Sequence, residues 1–384
     1  MNAGTLDPTL VILLVASCVA ASCALVGSFL VLRGMALLGD AISHAVLPGI
    51  AVAFLWSGSR EPVTMLLGAA ALGVMTVFLV ELGTRTRRLQ EDASIGVVFP
   101  ALFSIGVILI ARYAGQVDLD LDCVLYGEIA YTPWDLLEWN GQPIGPRALV
   151  LNGGVLALVA SFLGLLYKEL KLSTFDPALA AALGFSPVVL HYALMTMVSI
   201  TVVGAFESVG AILVVAMLVV PPATAYLLTE RLGHMLILSV VFGVASAWLG
   251  YALARWLDAS IAGSMAVAAG GLFTLVFAMA PTHGLVAKAL NRRRLRLGMA
   301  EQLLMLHLEQ EGVARDPASI GRRFGWATER VAQVATRARR RGWVTRDAAG
   351  GLLLTAEGLG AIERSGQASL RHPPSPAAGG LPTG

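Results

Sequence analysis

The chain has 384 residues, 57% of them hydrophobic and 14% charged, with a formal net charge of +2 and a mean hydropathy of +0.75. Such a composition excludes a water-soluble globular domain and describes an integral membrane protein. Three cysteines without CxxC spacing exclude a disulfide framework and a zinc knuckle.

Apolar runs long enough to span about 30 Å of hydrocarbon fall at residues 9–32, 34–56, 62–82, 93–112, 148–167, 188–206, 208–229, 234–256 and 260–280. They predict nine spans, or eight if the connection around Glu207, too short for a proper loop, is counted differently. The first run follows Met1 to Pro8, which carries Asp7 and no Lys or Arg, and it is too long for a cleaved signal peptide. Cys18 and Cys23 in that run read as small apolar filler.

The second run holds Gly39-Asp40-Ala41-Ile42-Ser43-His44-Ala45-Val46-Leu47-Pro48-Gly49. Side chains four apart share one helix face, so Asp40 and His44 converge. An ionisable pair is expensive in lipid and marks ion pathways. A carboxylate oxygen plus an imidazole nitrogen makes a partial coordination shell for a divalent transition metal; a pair that only stiffens a helix bundle is the alternative.

Positive charge sets the orientation. Arg33, Arg85, Arg87, Arg88, Lys168, Lys171, Arg231 and the cluster Arg292, Arg293, Arg294 and Arg296 all fall on one side if the spans alternate. That side is the cytoplasm and the amino terminus is outside. The outside loop Gly115 to Pro146 contains Asp118, Asp120, Asp122, Glu128, Asp135 and Glu138 and no basic residue, so it attracts cations or is simply solvated. Within it, Cys123 to Ala130 reads in part as a short re-entrant or surface helix.

Between spans five and six, Ser173 to Phe185 carries an N-cap residue in Asp176, a proline at the first helical position in Pro177, an Ala/Leu run, and Gly184 at the carboxyl end. These bound a short cytoplasmic helix that either inserts into a groove on a partner or forms a hairpin elbow. No GxxxxGK[ST] stretch occurs, so the chain has no phosphate-cradling loop of its own and is not the ATPase.

Charge changes near residue 290. Lys288 to Arg371 carries a net +8, against −6 for residues 1–287. Helices are predicted at Met299 to Glu311, Pro317 to Phe324 and Ala327 to Gly342, then two short strands around Asp347-Ala348-Ala349-Gly350. This is similar to a winged helix, and Leu354-Thr355-Ala356-Glu357-Gly358 resembles metal-dependent repressors of the diphtheria-toxin-repressor class. Arg330, Arg337, Arg339, Arg340 and Arg341 suffice to contact phosphates. Fusion to a membrane domain favours docking or regulation over DNA binding. The expected organisation is a transmembrane domain at 1–290, a winged-helix-like domain at 291–371 and a disordered tail at 372–384. The fold class is thus an all-α polytopic membrane protein of eight or nine transmembrane helices, followed by a small cytoplasmic winged-helix (α+β) domain.

Four stretches in order carry a resemblance: Gly39-Asp40 with Ser43-His44-Ala45 and Pro48-Gly49; Glu91 to Phe99; Phe175-Asp176-Pro177 with Ala181, Leu183 and Gly184; and Val209 to Val215 through Pro221-Pro222-Ala223-Thr224-Ala225. Over residues 10–285 the chain resembles the permease subunits of ABC importers for manganese, zinc and iron. The resemblance implies that Asp40 and His44 contact the metal, with Glu207 as a further ligand candidate. It also implies that Asp176, Pro177, Ala181, Leu183 and Gly184 belong to the coupling helix. Implied partners are a cytoplasmic ABC ATPase that holds the ATP, an extracytoplasmic metal-binding protein, and a second permease subunit, identical or paralogous. No cofactor is permanently bound, nucleic acid is not an expected partner, and the location is the bacterial inner membrane. Manganese is favoured as cargo, since oxygen ligands with one imidazole suit manganese or iron(II) better than zinc. Where relatives have Pro-Ala-Ala-Thr-Ala, the additional proline at Pro222 predicts a sharper kink. The competing expectations are a proton-coupled secondary metal transporter, with Asp40 and His44 as a proton relay, and a membrane-anchored winged-helix regulator.

Overall fold

A computed structural model of the chain describes residues 7–57, 62–85, 90–113, 129–139, 142–280, 298–310, 316–347 and 350–362. It divides into two compact units, Met1–Leu285 and Val286–Gly384, close to the boundary expected at 290.

The first unit contains α1 (Pro8–Leu32), α2 (Ala36–Ser57), α3 (Pro62–Arg85), α4 (Glu91–Tyr113), strands β1 (Leu136–Trp139) and β2 (Gln142–Pro146), α5 (Arg147–Leu165), α6 (Tyr167–Phe175), α7 (Pro177–Ala182), α8 (Pro187–Tyr226), α9 (Leu232–Leu257) and α10 (Ile261–Met279). Among the described residues, eight helices are long and apolar enough to cross a bilayer. Local signals bound them. Asp7 Oδ1 accepts from Thr9 N at 3.0 Å at the start of α1, Ser186 Oγ accepts from Val189 N at the start of α8, and left-handed Asp258 ends α9. The helix α1 is the centre of the bundle, with Val15, Ala20, Cys23, Ala24, Val26 and Phe29 at most 1% exposed.

The 40 residues of α8 would span about 60 Å as a straight helix, twice the hydrocarbon thickness. They do not run straight. Gly210 has φ 78 and ψ 165, a backbone conformation open to glycine, and the chain folds back there. Ser199, before the break, meets Ile42 at Gly73 and bonds Ala70 O at 3.0 Å. Leu218, after it, lies on Gly39. The two contacts fall within one turn of α2, whereas a continuous helix would hold Ser199 and Leu218 about 28 Å apart. Eight helices therefore supply nine apolar limbs, and the reversal lies just past Glu207 where the sequence left the count open.

Both prolines, Pro221 and Pro222, lie within helix, and the residue with non-helical backbone angles is Gly210. Lacking an N–H, Pro222 leaves Leu218 O without its helical donor. That carbonyl packs on Gly27 of α1, where a Cβ would come within 1.9 Å of it. The two backbones thus approach closely there, as small residues allow between membrane helices. Gly27→Ala is expected to destabilise the bundle by about 1–3 kcal/mol, read as a lowered melting temperature of the detergent-solubilised protein.

In the stretch Gly115 to Pro146 the structure has an antiparallel hairpin that the sequence did not predict, pairing Leu136 with Pro146 and Trp139 with Gln142. Asp118, Asp120, Asp122, Cys123 and Glu128, with most of the expected re-entrant helix, lie outside the described residues.

The second unit has α11 (298–310), α12 (Pro317–Phe324), α13 (Thr328–Arg340), β3 (Val344–Arg346), β4 (Leu352–Leu354) and α14 (356–362). Asp316 caps α12, and left-handed Gly325 ends it before α13 begins. The two strands, three residues each, pair Val344 with Leu354. Leu304, Leu308, Ile320, Val331, Val334, Val344 and Leu352 form its core. The described residues thus hold helices and one short strand pair, and the expected tail at 372–384 lies outside them. Two of the five arginines singled out in α13 and just after it serve this fold: Arg337 Nε and Arg341 Nη1 lie 2.9 Å and 3.1 Å from the carboxylate of Glu301, itself 1% exposed.

Candidate functional site

Asp40 and His44 lie in the first half of α2, on one face. His44 Nε2 is 3.5 Å from Asp40 Oδ1. Leu38, Ala41, Ile42 and Ser43 around them are buried, and Ser43 Oγ donates to Asp40 O at 2.7 Å. The polar pair is not buried: its side chains are 45% and 32% exposed, Asp40 the more open. The same side of α2 leaves Leu37, Val52 and Leu55 exposed. This side of the helix is covered only in part within a single chain, since Pro48 and Ala51 on it are buried, and an ionisable pair there requires water or protein opposite, since lipid would leave it unsolvated.

The helix α4 fixes the imidazole. Its Phe99 and Phe103 flank His44 with ring centroids at 5.1 Å and 6.0 Å, the second edge-on. Two donors 3.5 Å apart can share one cation at metal–ligand distances of about 2.1 Å. Among the described residues no group of three or more His, Cys, Asp and Glu side chains is placed to hold a metal.

Glu207 is not brought to this pair. Its neighbour Phe206 packs with Ile50, Ala69, Val203 and Ala211, which sets it at the level of Ile50, about 9 Å along α2 from His44. Glu207 Oε1 lies 3.4 Å from Arg147 Nη2, whose guanidinium also approaches Asp135 at 4.0 Å. Beside them Asn152 Nδ2 donates to Ser208 Oγ at 3.0 Å. Tyr131, Asp135, Arg147 and Glu207 line a cavity of about 80 Å³ at this end of the bundle.

The short helix α7 is bounded as its sequence demands. Asp176 Oδ1 accepts from Leu179 N at 2.9 Å. At the other end Phe185 N donates to Ala180 O and Gly184 N to Ala181 O, the two bonds of a Schellman turn, with Gly184 at φ 90. Ala180 is buried, while Phe175, Leu179, Leu183 and Phe185 are 59%, 46%, 61% and 40% exposed. Ala181 is exposed as well.

The other histidines of the first unit stand apart. His234 is exposed in the first turn of α9, His191 faces Arg33 at 3.4 Å, and His283 lies outside the described residues. Asp92 is exposed in the first turn of α4.

Residues 7–280 match the model of the ABC 3 transport family, and the chain belongs to that family. It is 49% identical over 283 residues to the manganese transport system membrane protein MntD of Bacillus subtilis (strain 168), covering 73% of this chain and 96% of that protein. It is 43% identical over 357 residues to the zinc transport system membrane protein TroD of Treponema pallidum (strain Nichols), covering 91% and 97%. A match of that length extends into the second unit. Among solved structures, PsaBC from Streptococcus pneumoniae in complex with Fab is similar with a TM-score of 0.61 and 31% identity, covering 72% of this chain and 94% of the other.

Proposed function

We propose that the chain is the permease subunit of an ATP-driven importer that carries a divalent transition metal into the bacterial cytoplasm across the inner membrane. Manganese is the favoured cargo, with zinc and iron(II) as alternatives. The observation that carries the reading is the Asp40 and His44 pair, 3.5 Å apart and partly exposed on one face of α2. The names of MntD and TroD support it. A second permease subunit, identical or paralogous, covers that side, and the metal passes between the two copies. One carboxylate and one imidazole replace part of the ion's hydration and release it readily.

In this scheme the end of the bundle bearing Arg33, Arg231 and α7 is cytoplasmic. Phe175, Leu179, Leu183 and Phe185 form the apolar face of a coupling helix that docks on the partner ATPase, with Asp176, Pro177, Ala181 and Gly184 holding its shape. An extracytoplasmic metal-binding protein delivers the ion at the hairpin end. Glu207 is a ligand candidate only for an ion arriving there, where Arg147 competes for its carboxylate. The second unit is read as a cytoplasmic winged helix for docking or regulation. In support, α12, α13 and the β3–β4 pair follow one another in the order such a domain requires, and Arg330, Arg339 and Arg340 carry no ion pair among the described residues.

Transport in vesicles separates the readings. Metal uptake by the assembled subunits is expected to require ATP and to continue when the proton gradient is collapsed. Uptake driven by a proton gradient without any ATPase would show a secondary transporter instead.

A further inference from the structure

We propose that Arg33 is a strut that carries movement of α7 to α2, a positioning residue for transport that touches no ion itself. The proposal rests on α7 being the docking helix of the ATPase.

Arg33 is the C-cap of α1 and stands three residues before α2. Its partly buried guanidinium holds two further elements. Nη2 donates to Ser173 Oγ at 2.9 Å and Nε to Thr174 Oγ1 at 3.2 Å, both at the end of α6, where the chain passes through Phe175 and Asp176 into α7. Nη1 lies 3.4 Å from His191 Nδ1 in the first limb of α8. A guanidinium has only donors, so Nδ1 is the acceptor. One planar fork thus joins the segment entering α7, the base of α8 and the elbow that starts α2.

The elbow transmits what the fork receives. Met35 N donates to Leu30 O and Gly34 N to Val31 O, closing α1 with Gly34 at φ 74. From Arg33 the chain reaches Asp40 within two turns of α2, so a displacement of Ser173 and Thr174 has a short route to the metal-contacting pair. There is also room for it. A cavity of about 280 Å³ lies beside the fork, lined by Met35 of the elbow, Leu38 of α2, Val80 and Glu81 of α3, and Pro187 and His191 of α8. Close-packed elements resist displacement, whereas the start of α2 borders open space. Lysine would keep the charge but cannot present the fork to three acceptors.

The test uses the permease assembled with its ATPase and reads manganese moved per ATP hydrolysed. Arg33→Ala and Arg33→Lys are expected to copurify with the ATPase and to hydrolyse ATP, while manganese moved per ATP falls roughly tenfold. The double variant Ser173→Ala, Thr174→Val leaves Arg33 and its charge in place and is expected to lose a similar factor, with little further loss on adding Arg33→Ala. It also keeps the proposal testable if Arg33→Ala fails to assemble. Unchanged stoichiometry in the double variant, or full rescue by Arg33→Lys, would overturn the strut. Failure of the wild-type permease to bind the ATPase would instead overturn the docking role of α7.

Discussion

Asp40→Asn is expected to lower metal uptake by roughly a hundredfold, and His44→Ala by a similar factor, as for loss of a ligand-level contact. Asparagine keeps the shape of the side chain and one oxygen but removes the charge that attracts a dication. Alanine removes the nitrogen and leaves a gap between Phe99 and Phe103. Both side chains are partly exposed, so neither change empties a packed core, and assembly and ATP hydrolysis should persist. Because the two groups act on one ion, the double variant should fall little below either single one. Uptake of radioactive manganese in proteoliposomes reads the effect, and retention of transport in both single variants would dismiss the site.

The second large effect is expected at α7. Leu179→Asp and Leu183→Asp place carboxylates on residues 46% and 61% exposed, so the permease itself loses little stability. Docked in an apolar groove, each charge would be desolvated without a partner. Loss of an anchor of this kind costs about 2 kcal/mol or more, and the pair should release the ATPase during purification and stop ATP-driven uptake. Asp176→Ala should act more weakly: it removes one capping bond, worth about 1 kcal/mol, and leaves the apolar face intact. Copurification of the ATPase with the double Asp variant at wild-type yield would contradict the docking role.

The sequence exposes some of this architecture more readily than the rest. Apolar runs of span length locate the limbs because lipid admits few other patterns, and the caps of α7 are local signals confined to Asp176, Pro177 and Gly184. Asp40 and His44 are legible for the same reason, since four-residue spacing on a helix decides what meets what. Contacts between distant segments leave no such trace. The pairing of Glu207 with Arg147 joins residues 60 positions apart, and no spacing in the sequence announces it. Phe99 stood inside a recognised stretch, but its place against His44 depends on how α4 packs on α2. The reversal of α8 at Gly210 was displaced by three residues because Glu207, as the polar residue, drew the boundary. The contact of Gly27 with the carbonyl that Pro222 leaves bare is another such pairing, invisible in the sequence of either helix.

The central claim is that the carboxylate of Asp40 and the imidazole of His44 together hold a dication in transit. It is tested most directly by an anomalous difference map, at the manganese edge, of the assembled transporter soaked in manganese. The account predicts a peak within metal–ligand distance, about 2.1–2.3 Å, of Asp40 Oδ1 and His44 Nε2, facing the partner permease. A manganese peak elsewhere in the bundle, with that pair turned to lipid or sealed in a dry contact, would contradict it.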